Sequence, residues 1–143
     1  SRDELFARNE IYLEQYAKQI NVEGATAIEM THKQYIPSVI GYISALGESV
    51  ARLEKIDVSA RAQRELLDRL SEKLDQAARE VAILEEKMAK AHTVPSAKAQ
   101  AFEYRDEVLP ALAALRENVD ALERIMPKDK WPVPSYADMM FRL

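Results

Sequence analysis

Cysteine is absent from the 143 residues, which excludes disulfide frameworks, thiolate metal sites and cysteine nucleophiles. A reducing, intracellular home fits that absence. Glycine occurs three times, at positions 24, 41 and 47, too sparsely for a glycine-rich loop that cradles phosphate. Nucleotide binding by this stretch alone is therefore not expected. Long apolar runs are missing too. The longest, Val108 to Leu115, has Pro110 inside it and falls far short of the roughly 18 residues a membrane helix needs. Neither a span nor a signal peptide is predicted. No basic block stands out, because 20 Lys and Arg are spread among 24 acids for a net charge of −4. An electrostatic footprint for nucleic acid or anionic lipid is thus lacking.

What the chain has in quantity is helix formers: 21 Ala, 14 Leu and 16 Glu. With few glycines for turns and few β-branched runs for strands, this composition predicts an all-α fold. Four stretches follow from apolar spacing. The first runs from about Arg2 to Ile20, with Phe6, Leu13, Tyr16 and Ile20 on one face and Asn21 as the cap before the next. The second continues to about Ile56 along Ile36, Val39, Ile43, Leu46, Val50 and Leu53, and Pro37 should kink it by clashing with the Lys33 carbonyl. Ser59 caps a third, which runs to about Ala91 on Leu67, Leu70, Leu74, Ala77, Val81, Leu84, Met88 and Ala91. Its outer face offers Glu65 with Arg69, Asp75 with Arg79 and Glu86 with Lys90 at i, i+4. After His92 to Ser96 restarts the pattern, a fourth carries Val108, Leu112, Leu115, Val119, Leu122 and Met126, holds Pro110 inside it and stops at Pro127.

Helices of about 30 residues are about 45 Å long, and short connections force neighbours antiparallel. The expectation is an elongated antiparallel bundle of about four helices with an extended Pro/aromatic C-terminal tail. A weak internal echo, Glu48 to Ile56 against Glu117 to Ile125, reads as convergence of two amphipathic helices that each follow a proline.

Chemistry is harder to find. Glu29-Met-Thr-His32 has the spacing that puts a carboxylate and an imidazole on one helix face, but a di-metal site needs a second copy, and His92 has Ala89 three residues before it. His32 is therefore expected as a polar member of a helix interface. Neither His stands near a strand-turn-helix elbow that would activate a serine. The acids Glu85, Glu86, Glu103 and Glu107 read as solvated faces. Tyr35, Tyr42 and Tyr104 fall near apolar seams and read as core filler with a hydroxyl toward the surface. No catalytic, cofactor or metal residue is nominated.

The C-terminal stretch differs in kind. Trp131-Pro132-Val133-Pro134-Ser135-Tyr136-Ala137-Asp138-Met139-Met140-Phe141 cannot begin as a helix, because Pro132 and Pro134 push the preceding residues into extended conformations. Ser135 with Asp138 would cap one short turn. So many large apolar side chains in one segment require it to fold back on the bundle or dock on a partner. Residues 127–143 are thus expected as a non-helical tail packed on the bundle. Trp131, Pro132, Pro134, Tyr136, Phe141, Pro37 and Pro110 are the structural or interface candidates.

The same tail, Trp131-Pro132-x-Pro134-Ser135-Tyr136-x-Asp138-x-x-Phe141, resembles the closing motif of type III glutamine synthetases. Asn9-Glu-Ile-Tyr-Leu-Glu-Gln-Tyr through Ile36-Pro37-Ser-Val, and Tyr104-Arg105-Asp106-Glu-Val-Leu-Pro110-Ala-Leu, are similar to the same family. The resemblance implies that residues 1–143 are one helical domain, the C-terminal part of a larger bacterial enzyme. Such a parent joins glutamate and ammonia into glutamine with ATP and Mg or Mn, in the cytoplasm, as a large homo-oligomer. Its ligands lie upstream, and no position here matches them. Opening on Ser1 and running at once into Asp3-Glu4-Leu5-Phe6 fits a cut from something longer. The implied role is a non-catalytic structural or assembly domain whose partners are the upstream catalytic region and other subunits. The alternative is a free-standing helical-bundle interaction module, which a complete short reading frame would favour.

Overall fold

The computed structural model describes residues 1–134. It is an all-α bundle built from three continuous helical runs, with no strand among the described residues. The first run joins α1 (Arg2–Met30), a π-turn at Thr31–Tyr35 and α2 (Ile36–Lys55). The second is α3 (Arg61–His92). The third joins α4 (Ala97–Glu103), a π-turn at Tyr104–Val108 and α5 (Leu109–Ile125). A 3-10 turn, Lys128–Lys130, follows.

Three runs rather than about four result because the chain does not break at Asn21, which lies inside α1. A lone Asn costs a helix only a fraction of a kcal/mol, while a break would free backbone donors and acceptors on both sides. Gly24, three residues on, does not break the helix either, since it is buried within α1, and the side chain expected to cap is used elsewhere. Asn21 Oδ1 accepts a 3.0 Å hydrogen bond from the Tyr104 hydroxyl.

Both prolines are accommodated in the same way. Pro37 is the second residue of α2 and Pro110 the second of α5, and each stands two positions after a π-turn. Within the second turn the Leu109 N–H bonds to the Tyr104 carbonyl, a five-residue span. One wide turn takes up the hydrogen bond that proline cannot donate and relieves the clash of its ring with the carbonyl four residues back. Apolar spacing of three and four hides this inserted residue, so the sequence alone predicts only a kink at Pro37.

Where the helices end, the backbone is paired. The Val58 N–H reaches the Leu53 carbonyl at 2.9 Å and the Asp57 N–H the Glu54 carbonyl at 3.2 Å, with Asp57 at φ 58. This is a Schellman closure with Asp in the left-handed position usually held by Gly. α3 then begins at Arg61, so Ala60 rather than Ser59 stands immediately before it. Ser96 caps α4, its Oγ accepting from the Ala99 N–H at 3.1 Å.

Packing divides the described residues into two compact units, residues 1–30 with 79–116 and residues 31–78 with 117–134. In the first, Ala17 and Ile20 of α1, Val81, Leu84 and Ala91 of α3, and Ala101, Tyr104, Val108, Leu112 and Leu115 of the third run are buried. Lys87 pairs with Glu107, and Lys90 Nζ lies 3.5 Å from Glu103. That falling-against-rising register makes α3 and the third run antiparallel. In the second unit, Val39 and Leu46 of α2, Leu70 and Ala77 of α3, and Leu122, Met126 and Trp131 form one cluster. Ile43, Leu67, Leu74 and Val119, all on the expected seams, pack against it. On the outer face of α3, Glu65 takes Arg61, one turn earlier, at 3.2 Å.

Candidate interaction surfaces

Trp131 is buried, with 9% of its surface exposed. Its position follows from the chain reversal before it. Pro127 ends the helical run, the Lys130 N–H closes on the Pro127 carbonyl at 3.0 Å, and the indole is carried back onto the junction of the first π-turn with α2. There it stacks on Tyr35, with ring centroids 5.0 Å apart and planes 12° from parallel. Burial, with the nearby Glu123 and Asp120 carboxylates adding to it, holds the Tyr35 phenol above its ordinary pKa. The indole N–H has no acceptor among the described residues. Val133 packs against the same cluster, while Pro132 and Pro134 are exposed. Pro37 and Pro110 are exposed as well. Tyr136 and Phe141, with Ser135 and Asp138, lie outside the described residues. Of the candidates the sequence nominated, then, Trp131 meets the core, while Pro37 and Pro110 each follow a π-turn in their own helical run.

A second surface lies in the first unit and was not nominated. Tyr12, Leu13 and Tyr16 of α1 face Ala101 and Phe102 of α4 and Arg105 across an open groove of about 250 Å³. Phe102 is 40% exposed, with the Arg105 guanidinium 4.7 Å and the Lys98 ammonium 5.9 Å from its ring centre. Arg105 also makes a two-pronged contact with Asp106 at 2.8 and 3.2 Å, which holds the Asp106 carboxyl below its ordinary range. The sequence signal was present in the spacing of Tyr12 and Tyr16 at i, i+4 and of Phe102 and Arg105 at i, i+3. What it did not reveal is that the two pairs face each other.

Other residues weighed for chemistry are scattered. Glu29 and His32 are both exposed, so His32 is not buried in a helix interface. Tyr42 packs against the second unit's cluster, and Tyr104 is buried with its hydroxyl on Asn21. Among the described residues, no three His, Asp or Glu side chains gather where they would hold a metal ion. All three glycines lie inside helices, where no phosphate loop forms. Among the described residues there is no gathered ligand set for a divalent ion, one of the groups that the resemblance implies for a parent enzyme. No helix among the described residues is long and apolar enough to cross a membrane.

Comparison with known proteins agrees with the resemblance read from the sequence. Residues 1–54, the run from α1 through the π-turn to the last turn of α2, match the family model described as glutamine synthetase C-terminal domain. A glutamine synthetase from Bacteroides fragilis (strain YCH46) is 26% identical over 96% of this chain and 20% of its own length. Another from Butyrivibrio fibrisolvens is 28% identical over the whole of this chain and 21% of its own. The chain therefore spans about a fifth of the length of the curated relatives it matches.

Proposed function

We propose that this chain is the non-catalytic C-terminal structural and assembly domain of a type III glutamine synthetase. One observation carries the reading: two glutamine synthetases align with the chain almost end to end, yet it accounts for only a fifth of each. A segment of that size, without a gathered metal-binding group or a phosphate loop among its described residues, is suited to positioning rather than to chemistry. The parent would form glutamine from glutamate and ammonia with ATP and Mg or Mn, in the cytoplasm, on residues outside these 143. The domain would contribute contacts to the catalytic body and to other subunits. Because such contacts exist only in the assembled state, they stabilise it by mass action.

The test compares the full-length protein with a version lacking this domain, in glutamate, ammonium, ATP and magnesium. The expected result is loss of the native oligomer size, with activity falling as the assembly dissociates. If the truncated protein keeps both size and activity, the assembly role is wrong. Glutamine formation by the 143 residues alone would overturn the non-catalytic reading.

A further inference from the structure

The buried stripe of α1 does not stop where its neighbours do. Gly24, Ile20 and Ala17 are buried, Leu13 and Tyr16 are half-buried, and Tyr12, Phe6 and Leu5 continue on the same side at helical spacing. Those last three are 65%, 68% and 67% exposed. From residue 2 to residue 11, about 14 Å of helix, every residue of α1 is exposed among the described residues. Such a stretch is ordinarily polar, because an apolar stripe on a bare helix gains nothing and invites aggregation. At its base the stripe runs into the groove walled by Phe102 and Arg105.

We propose that this stripe, Leu5, Phe6, Tyr12, Leu13 and Tyr16, with Phe102 and Arg105 as the far wall, is the seat on which the upstream part of the same polypeptide docks. The proposal rests on the reading of the chain as a C-terminal domain. Three observations favour this occupant over a second copy of the domain. The curated relatives carry about four fifths of their length outside the matched region, so ample chain exists to cover the stripe. The family match begins at residue 1, which makes the exposed turns part of the domain and not a linker. In a C-terminal domain the N-terminal end of α1 is also the covalent junction with what precedes it. Docking there is intramolecular and benefits from a high effective concentration.

Two measurements on the full-length protein test this. Hydrogen exchange should show amides 5–12 protected at least tenfold relative to the same amides in the 143-residue chain, independently of protein concentration. Phe6→Asp with Tyr12→Asp should abolish that protection while leaving Trp131 fluorescence, a reporter in the second unit, unchanged. A photo-crosslinking phenylalanine analogue in place of Tyr12 should join to a peptide from outside the 143 residues. A crosslink that joins two chains through peptides of the 143 residues, seen as a doubled mass under denaturing conditions, or protection that grows with concentration, assigns the stripe to a second copy and overturns the proposal. Fast exchange at 5–12 in the full-length protein overturns it as well. In that last case intact glutamine formation would leave the parent reading standing, so the two fail separately.

Discussion

The Tyr104 hydroxyl donates a 3.0 Å hydrogen bond to the Asn21 side chain across 83 positions of sequence, tying the π-turn of the third run to the middle of α1. Tyr104 is 2% exposed. Removing the hydroxyl in Tyr104→Phe should cost about 1 kcal/mol, the net value of one such bond. Asn21→Ala should cost a similar amount or less, since helix propensity favours Ala. In a double-mutant cycle read by thermal denaturation the two effects should couple, the pair costing less than the sum. Strict additivity would mean that the bond contributes nothing in solution.

This contact also marks where sequence reading ends. The seams of α2, α3 and α5 were legible because each position repeats at three and four, and Val39, Leu70, Val81, Leu84, Leu112 and Leu122 are all buried. Helix ends were legible at the break from His92 to Ser96 and at Pro127, whereas the start of α3 lies one residue beyond the position that Ser59 as a cap would set. Asn21 was misread because the residue types that cap a helix also make tertiary bonds within one, and only the partner decides. The π-turns were invisible, since one inserted residue hardly disturbs a spacing that already alternates between three and four. The groove of the first unit stayed hidden for a different reason. Tyr12 and Phe102 are some 90 residues apart, and a single chain has no local pattern that pairs them.

Trp131 offers the largest single effect. Its indole closes the second unit's cluster and stacks on Tyr35. Trp131→Ala should cost about 3 kcal/mol or more, and Trp131→Phe should recover most of that by keeping a stacked ring. Chemical denaturation followed by circular dichroism measures both. Equal midpoints for Trp131→Ala and the parent would show that the indole is not seated.

The Lys87–Glu107 pair sets a pH window. Its hydrogen bond and charge hold the Glu107 carboxyl below its ordinary value and the Lys87 ammonium above its own. For the carboxyl, the stabilisation is fully present above the unfolded pKa of about 4.3 and is lost as pH falls through the lower folded one. For the ammonium, it is present below about 10.4 and lost as pH rises through the raised folded value. Glu107→Gln should therefore melt below the parent at pH 7, with the gap closing by about pH 3. Both side chains are partly exposed, so the gap at pH 7 should shrink in high salt. A gap that is the same at pH 3 and pH 7 would assign the effect to packing and not to charge.

The three glycines should respond in opposite senses. A Cβ added at Gly41 or Gly47 meets nothing within 4 Å, and both positions lie well inside α2 with no positive φ to preserve. Gly41→Ala and Gly47→Ala should each stabilise by up to about 1 kcal/mol, the propensity difference in a helix interior. At Gly24 the same atom would stand 2.5 Å from the Met88 sulfur, well inside contact distance. Methionine is flexible, so Met88 can retreat, but it is half-buried and must give up packing to do so. Gly24→Ala should therefore fall at least about 1 kcal/mol short of the other two, because crowding a packed site offsets the helical gain. The attribution to Met88 is checked by repeating the three substitutions in a Met88→Ala background, where space opens beside α1. There Gly24→Ala should stabilise as much as Gly41→Ala does. If the deficit persists with Met88 gone, the cause lies in the close approach of backbone and not in that side chain.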